Sequence, residues 1–357
     1  MTNAIKLAVA GVGNNISALY QGASYYARMR ETGEMEKVAF GIRMQEIGDI
    51  HVSNIEFVAA YDVLPSKVGK PFSEAVFAES NNYPILDVDP TPYSFLVKQG
   101  VTKNSADSDF AIATIAKSLR DAGAEVLLYS LPTGLQWAAE AYAKAALQAG
   151  VAFVNCTPES IARNPDLRRQ FEEAGVPCVG DDLASHLGAS ILHRSLLNLL
   201  GTRGITLASS YQLNFGGNED FRNLRDHGAS KAESKINALK QAGLDTDKVQ
   251  VIPSAGHINR LNDHKVAIIN IEGVGWVGRP VSLDLKLKVQ DSSNAAGVII
   301  DHIRITALAQ RQKMGGFPLA AATCLKSPAI GHDSYTPEEL DLSLRKLTGA
   351  EEILAEQ

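Results

Sequence analysis

Cysteine is scarce in this chain: Cys156, Cys178 and Cys324 are its three cysteines in 357 residues, and none belongs to a Cys-x-x-Cys pair. An odd, scattered set builds neither a disulfide framework nor a thiolate zinc cage, so these thiols read as buried side chains. The histidines, among them His186, His193, His257, His264 and His302, never stand as His-x-x-x-His, which removes the zincin pattern. There is no Gly-x-Ser-x-Gly elbow and no Walker loop. Basic charge is not in excess, with 34 Lys+Arg against 40 Asp+Glu and a formal net charge of -6, so nucleic acid is not an expected partner. No run approaches the ~18 apolar residues of a membrane span. Met1 to Lys6 lead straight into a strand-like stretch without a signal-peptide layout, from which no membrane association and a cytoplasmic location are expected. What remains is ordinary globular usage, 45% hydrophobic and 21% charged, at a length that suits roughly two domains.

The first half alternates short apolar runs with longer amphipathic segments, the signature of parallel strands joined by helical crossovers. Strands are expected over residues 7–12, 55–62, 125–131, 152–155 and 177–179, with helices over 17–30, 135–149 and 165–174. Beyond about Gly201 the texture changes. Val281, Leu283, Leu285, Leu287 and Val289 alternate with Ser282, Asp284, Lys286, Lys288 and Gln290, as in a strand with one buried face. With strands over 206–212 and 266–272, this predicts a second, antiparallel β unit whose apolar face needs a cover, another subunit being one candidate. A helix over 295–313 stops at Gly315-Gly316, and Thr336-Pro337-Glu338-Glu339 opens a last helix. No flexible linker is visible, so the second unit reads as inserted into the first.

Leu7-Ala8-Val9-Ala10-Gly11-Val12-Gly13-Asn14-Asn15 is a buried-type strand running into a Gly-x-Gly turn ahead of a helix. A dinucleotide site needs that order, because glycines let backbone approach the pyrophosphate and a helix N-terminus favours anions. Ile16 stands where a third glycine is expected, and about twenty extra residues separate the turn from Asp62, which ends the next strand where an acid holds an adenosine ribose. The alternative is a tight turn plus a surface aspartate. Asp181-Asp182 follow another strand end, as ligand-site residues or as a helix N-cap. Ser230-Lys231-Ala232-Glu233-Ser234-Lys235 places both lysines and both serines on one helical face, either a solvated basic surface or a cluster in which each ammonium discourages protonation of the other. Leu213-Asn214-Phe215-Gly216-Gly217-Asn218-Glu219-Asp220-Phe221 is a strand end breaking into a turn that suits a ligand pocket.

Together with Phe77-Ala78-Glu79-Ser80-Asn81-Asn82, Val179-Gly180-Asp181-Asp182, Asp263-His264-Lys265, Asp291-Ser292-Ser293-Asn294-Ala295 and Leu325-Lys326-Ser327-Pro328, these segments resemble the myo-inositol-1-phosphate synthase family in its shorter bacterial and archaeal branch. The resemblance runs through nearly the whole chain. It implies a sugar-phosphate cyclase with a catalytic NAD: C5 of glucose 6-phosphate is oxidised, C6 loses a proton, the C6 enolate attacks the C1 aldehyde, and the cyclic ketone is reduced to 1L-myo-inositol 1-phosphate. By family position Lys231, Lys235, Lys265 and Lys326 form a lysine cluster, with Asp220 and Asp291 orienting them or relaying protons. Gly11, Gly13, Asn14, Asn15, Asp62, Ser130, Asp182 and Ser185 fall to the cofactor. Asn214, Gly217, Asn218, Ser230, Ser234 and Asn294 fall to the substrate. A homotetramer is implied, while the need for a divalent or monovalent cation is left unknown.

Three departures touch the implied site. Ala184 stands before Ser185 where the family often has Lys, an acid is replaced near Ala255-Gly256, and Ala295 stands where Ser is usual. They point to retained chemistry on an altered substrate, for which a paralogous cyclase closing a five-membered ring on fructose 6-phosphate, in a carbocyclic nucleoside pathway, is the alternative. A plain NAD-dependent dehydrogenase or a non-catalytic NAD sensor is a lesser alternative. The expected architecture is α/β: a Rossmann-type NAD-binding domain (residues 1–198 and 296–357) with an inserted α+β catalytic and oligomerisation domain (199–295) carrying an open, antiparallel-rich sheet.

Overall fold

The structure is a computed structural model that describes residues 3–35, 41–227, 235–236, 239–240, 246–326, 328–329 and 337–349. Strands β1 (Ile5–Ala10), β4 (Ile55–Asp62), β5 (Lys98–Gln99), β6 (Val126–Tyr129), β7 (Ala152–Asn155) and β8 (Cys178–Val179) form one parallel sheet in the order β5-β4-β1-β6-β7-β8. Their near-continuous apolar runs follow from burial on both faces. Helices α1 (Asn14–Glu31) and α8 (Asp291–Arg311) share one core with the sheet; α3 (Asp109–Asp121) and α4 (Gln136–Ala149) share the other. The short α2 (Phe72–Ala75) lies between β4 and β5, and α5 (Pro165–Glu173) between β7 and β8. The strand order reverses at β1, which opens a crevice at the carboxyl ends of β1, β4 and β6.

The extra residues ahead of β4 form a small hairpin of β2 (Glu46–Ile47) and β3 (Ile50–His51). Arg304 of α8, fully buried and ion-paired with Asp301, donates to the carbonyls of Met44 (2.7 Å) and Gln45 (2.8 Å) and so ties the insertion down. A buried guanidinium is tolerable because these carbonyls and the Asp301 carboxylate engage both of its terminal nitrogens.

The second sheet has the order β10-β9-β11-β12, from β9 (Thr206–Gly216), β10 (Val249–His257), β11 (His264–Val274) and β12 (Pro280–Gln290). Its pairings are antiparallel except β9 with β10, which run parallel, so the sheet is mixed rather than wholly antiparallel. Its apolar face is covered from within the chain. Ala189 and Leu197 of α6 (Ala189–Thr202), with Leu239, close over Ala267, Ile269 and Ile271, and Leu283, Leu285 and Leu287 lie half-buried against them. Helix α6 therefore packs with the second sheet, not with the first unit to which a division at residue 198 assigns it. Helix α7 (Glu219–His227) follows β9, and α9 (Pro337–Thr348) closes the described chain. Among the described residues no helix is long and apolar enough to cross a membrane.

Candidate active site

One cleft of ≈ 500 Å³ lies at the crevice beside β1 and extends to the second sheet. Its floor is the turn after β1. Gly11 takes φ +90, and a Cβ there would stand 2.6 Å from the carbonyl oxygen of Ser130, so only glycine fits. Gly13 heads α1 with nothing within 4 Å of a would-be Cβ, and α1 has neither a side-chain cap nor an acidic residue in its first turn. Its leading N–H groups and dipole are left for an anion, whereas α3 and α5 each begin with an acid and a side-chain cap. Asn15 donates to Ser130 Oγ at 3.3 Å. Asp62, at the end of β4 and bordering the cleft, accepts from the Val12 amide (2.8 Å), the Val63 amide (2.8 Å) and the Leu64 amide (3.0 Å), which leaves one lone-pair site on Oδ2.

A second wall comes from the loop after β8. Asp181 points away from the cleft: its buried carboxylate accepts from Asn155 Nδ2 (2.7 Å), the amides of Ile161, Ala162 and Arg163, and Arg163 Nε (3.2 Å), binding loop to loop. Asp182 turns the other way at φ 59 and accepts from Lys326 Nζ at 2.9 Å. Residues so far apart in sequence meet because Leu183 and Leu325 pair as an antiparallel bridge and the Lys326 amide donates to the Asp182 carbonyl at 2.7 Å. Ser185, Cys156 and Ala295 border the same wall. Burial pushes the Cys156 thiol up to about 12, so it is no nucleophile.

The third wall belongs to the second sheet. Lys265, at the start of β11, places Nζ 3.2 Å from Asp291 Oδ1 and 5.8 Å above the Phe221 ring. Asn218 Nδ2 donates to the other Asp291 oxygen at 3.2 Å, while its Oδ1 accepts the Phe221 amide and caps α7. Asp220 accepts from Thr133 Oγ1 at 3.3 Å and Asn223 donates to the Thr133 carbonyl at 2.6 Å, docking α7 onto the loop after β6.

The expected cofactor residues Gly11, Gly13, Asn14, Asn15, Asp62, Ser130, Asp182 and Ser185 all border this cleft, as do Asn218, Asp220, Lys265, Asp291 and Lys326. The side chain of Asn14 is nevertheless spent. It donates to Asn82 Oδ1 (2.6 Å) and Asp263 Oδ1 (3.0 Å) and accepts the amides of Asn82 and Tyr83, which fills its hydrogen-bonding capacity. Three expected substrate residues lie off the cleft. Asn214 is buried in the sheet, donating to the Ile252 carbonyl at 2.9 Å. Gly217 is packed under a turn, where a Cβ would meet Asn262 backbone at 2.6 Å. Asn294 holds the backbone of Leu187 from both ends of its amide. Lys235 is buried, with its charge acting on His193, and does not border the cleft. Lys231, Ser230 and Ser234 lie outside the described residues.

Sequence reasoning missed Lys67, Ser80, Asn81, Thr133 and Trp137, all of which border the cleft. Lys67 carried a usable signal, a lysine five residues past an acid at a strand end. No group of three or more His, Cys, Asp or Glu able to hold a metal occurs among the described residues.

A sequence profile described as myo-inositol-1-phosphate synthase matches residues 188–292. The inositol-3-phosphate synthase of Mycolicibacterium smegmatis is 41% identical over 344 residues, spanning 91% of this chain and 93% of that protein. This chain belongs to the myo-inositol-1-phosphate synthase family. A crystal structure of Ari2 is 60% identical, covering 98% of this chain and 100% of that one, with a TM-score of 0.88. The myo-inositol-1-phosphate synthase-related protein of Thermotoga maritima shares the fold at a TM-score of 0.81 and 24% identity, over 97% and 99% of the two chains. The chain is thus an α/β protein of this family, and its relatives support an enzyme of the inositol-3-phosphate synthase type.

Proposed function

We propose that this chain is an NAD-dependent sugar-phosphate cyclase that converts glucose 6-phosphate to 1L-myo-inositol 1-phosphate with no net redox change. One observation carries the reading: a single cleft joins a glycine turn at an uncapped helix N-terminus to two ammonium groups, Lys265 and Lys326, each held by a carboxylate. The open Gly13, the glycine-only turn at Gly11 and the spare oxygen site of Asp62 fit a dinucleotide. Bound there, NAD supplies a reversible hydride store for C5. The rest is work for the chain. Negative charge develops on the C5 oxygen as C6 loses its proton and on the C1 oxygen as the ring closes, beside a phosphate dianion, and the ammonium groups of Lys265 and Lys326 would stabilise it in a partly dry pocket. Asp220 and Asp291 accept hydrogen bonds at the rim and can hold a proton while the aldol bond forms. In the same reading the protein is cytoplasmic and homotetrameric. Exposure of Trp276 (87%) and Val277 (76%) at the β11–β12 turn supports a contact surface there.

A second reading keeps the chemistry and changes the substrate: with fructose 6-phosphate the C6 enolate reaches the C2 ketone and closes a five-membered ring. It is favoured by Ala295 on the cleft wall, where the family usually has serine. Purified protein with NAD is incubated separately with each sugar phosphate, and products are identified by phosphorus and carbon NMR. Inositol phosphate from glucose 6-phosphate upholds the first reading; a five-membered cyclitol phosphate from fructose 6-phosphate replaces it with the second. Net NADH without a cyclised product would overturn both in favour of a dehydrogenase, and binding without turnover in favour of a sensor.

A further inference from the structure

We propose that Lys67 is a direct ligand of the dinucleotide, donating to a hydroxyl oxygen of the adenosine ribose and acting with Asp62 as a donor–acceptor pair for its diol. The inference rests on the dinucleotide reading of the cleft. Lys67 is 3% exposed, yet it borders the cleft beside Asp62, Ser80 and Asn81. Its ammonium has three N–H donors. One goes to the Val12 carbonyl at 2.7 Å and one to Asn81 Oδ1 at 3.1 Å; Asp62 Oδ2, at 3.9 Å, is too far for a hydrogen bond. The third donor has no partner among the described residues. A buried ammonium with an unmet donor is costly unless something completes it.

The surroundings say what completes it. Asp62 keeps one acceptor site open on Oδ2 after its three backbone amides. Ser80 Oγ, on the same wall, is buried without a hydrogen-bond partner. A donor, an acceptor and a hydroxyl left over within one patch match two neighbouring hydroxyls, each of which gives one hydrogen bond and takes another. A phosphate suits the patch less well, because the Asp62 carboxylate would face it. Asn81 holds Lys67 in place, since its Nδ2 also donates to the Val12 and Val76 carbonyls. Burial draws the Lys67 amine down and the Asp62 charge opposes that pull, in keeping with an ammonium that is retained for its donors.

The test is a cycle between protein and ligand. Dissociation constants for NAD and for its two analogues lacking the 2′- or 3′-hydroxyl of the adenosine ribose are measured by calorimetry on the wild type and on Lys67→Met. Lys67→Gln, which keeps a donor for the Val12 carbonyl, takes its place should Lys67→Met not fold. NAD binding is expected to weaken about 10–100-fold in the variant, the size of a lost charge-assisted contact. At least one deoxy analogue should bind the wild type about tenfold or more weakly than NAD, with that penalty absent in the variant. A folded variant that binds NAD as the wild type does, or that retains the full deoxy penalty, overturns the proposal. A wild type that binds no NAD overturns the dinucleotide reading and this inference together, so the two failures are distinguishable.

Discussion

Replacing Lys265 by methionine keeps most of the stem volume and removes the charge, so it isolates the ammonium. An oxyanion at hydrogen-bond distance, about 3 Å from Nζ, gains roughly 5 kcal/mol of gross Coulomb energy at an effective dielectric near 20. Only charge that appears on the way to the transition state counts toward rate, and loss of one such donor costs roughly 3–4 kcal/mol, or about 10²–10³ in kcat. The folding penalty is smaller. Lys265 and Asp291 are 19% and 17% exposed, and Asp291 keeps its bond from Asn218 Nδ2 when the lysine goes. A partly solvated pair of this kind contributes about 1 kcal/mol. Activity should therefore collapse while the fold survives. The assay is product formation from the accepted hexose phosphate by phosphorus NMR at saturating NAD, with circular dichroism and the NAD dissociation constant as controls. Lys265→Arg, which returns the charge in another shape, is expected to recover part of the rate. A folded Lys265→Met enzyme within tenfold of wild-type kcat would refute the role of this ammonium as charge stabiliser.

Asp182→Asn keeps the shape beneath Lys326 but removes the charge 2.9 Å from its ammonium, and kcat is expected to fall about 10–100-fold with the fold intact. An unchanged kcat would mean that the Leu183–Leu325 bridge alone places the lysine. Burial lowers His302 to about 3 and His193 to about 4, while both return to about 6.5 on unfolding. Their neutral forms therefore contribute stability in full above pH 6.5, and it is lost as pH falls toward 4, by about 2.5 kcal/mol each at pH 4.5. Urea unfolding of His302→Leu should show a difference between pH 7 and pH 4.5 smaller than wild type by that amount, and an equal difference would contradict the assignment. Iodoacetamide at pH 8 should leave Cys156 and Cys178 unmodified in the folded protein, because burial raises both thiols; alkylation of Cys156 would show by peptide mass spectrometry.

The half that carries the parallel sheet was readable because its signals are local. Strands β4 and β7 fall where their largely apolar runs predict, and Gly11 follows β1 and Asp62 ends β4 at the crevice. Strand β10 was not readable: Pro253 and Gly256 break its alternation, as an edge strand permits, and its parallel pairing with β9 leaves no mark in sequence. Asn214, Gly217 and Asn294 show a different limit. Polar or small residues near a turn suit a ligand equally well as a neighbouring backbone, and here the Ile252 carbonyl, the Asn262 turn and the Leu187 loop take them. Their hydrogen-bond partners lie 38 and 107 residues away, beyond any local pattern.

Asp263 shows why the two halves of the cleft stay in register. Its buried carboxylate accepts from Asn14 at the glycine turn (3.0 Å) and from the Ser292 hydroxyl (2.6 Å) and amide (3.0 Å) at the head of α8. The residue before Ser292 is Asp291, which holds Lys265, and Asn82 extends the link by donating to the Gly217 carbonyl at 3.0 Å. A displacement of the glycine turn by a few tenths of an ångström thus strains bonds that end at the lysine. In the proposed reaction, which has no net redox change, the hydride taken from the sugar must return to the same molecule after the carbon skeleton has closed. That requires the glycine turn and the ammonium groups to keep one geometry through several steps, and a part-buried hydrogen-bond network that reaches both is stiffer than a surface contact between two units.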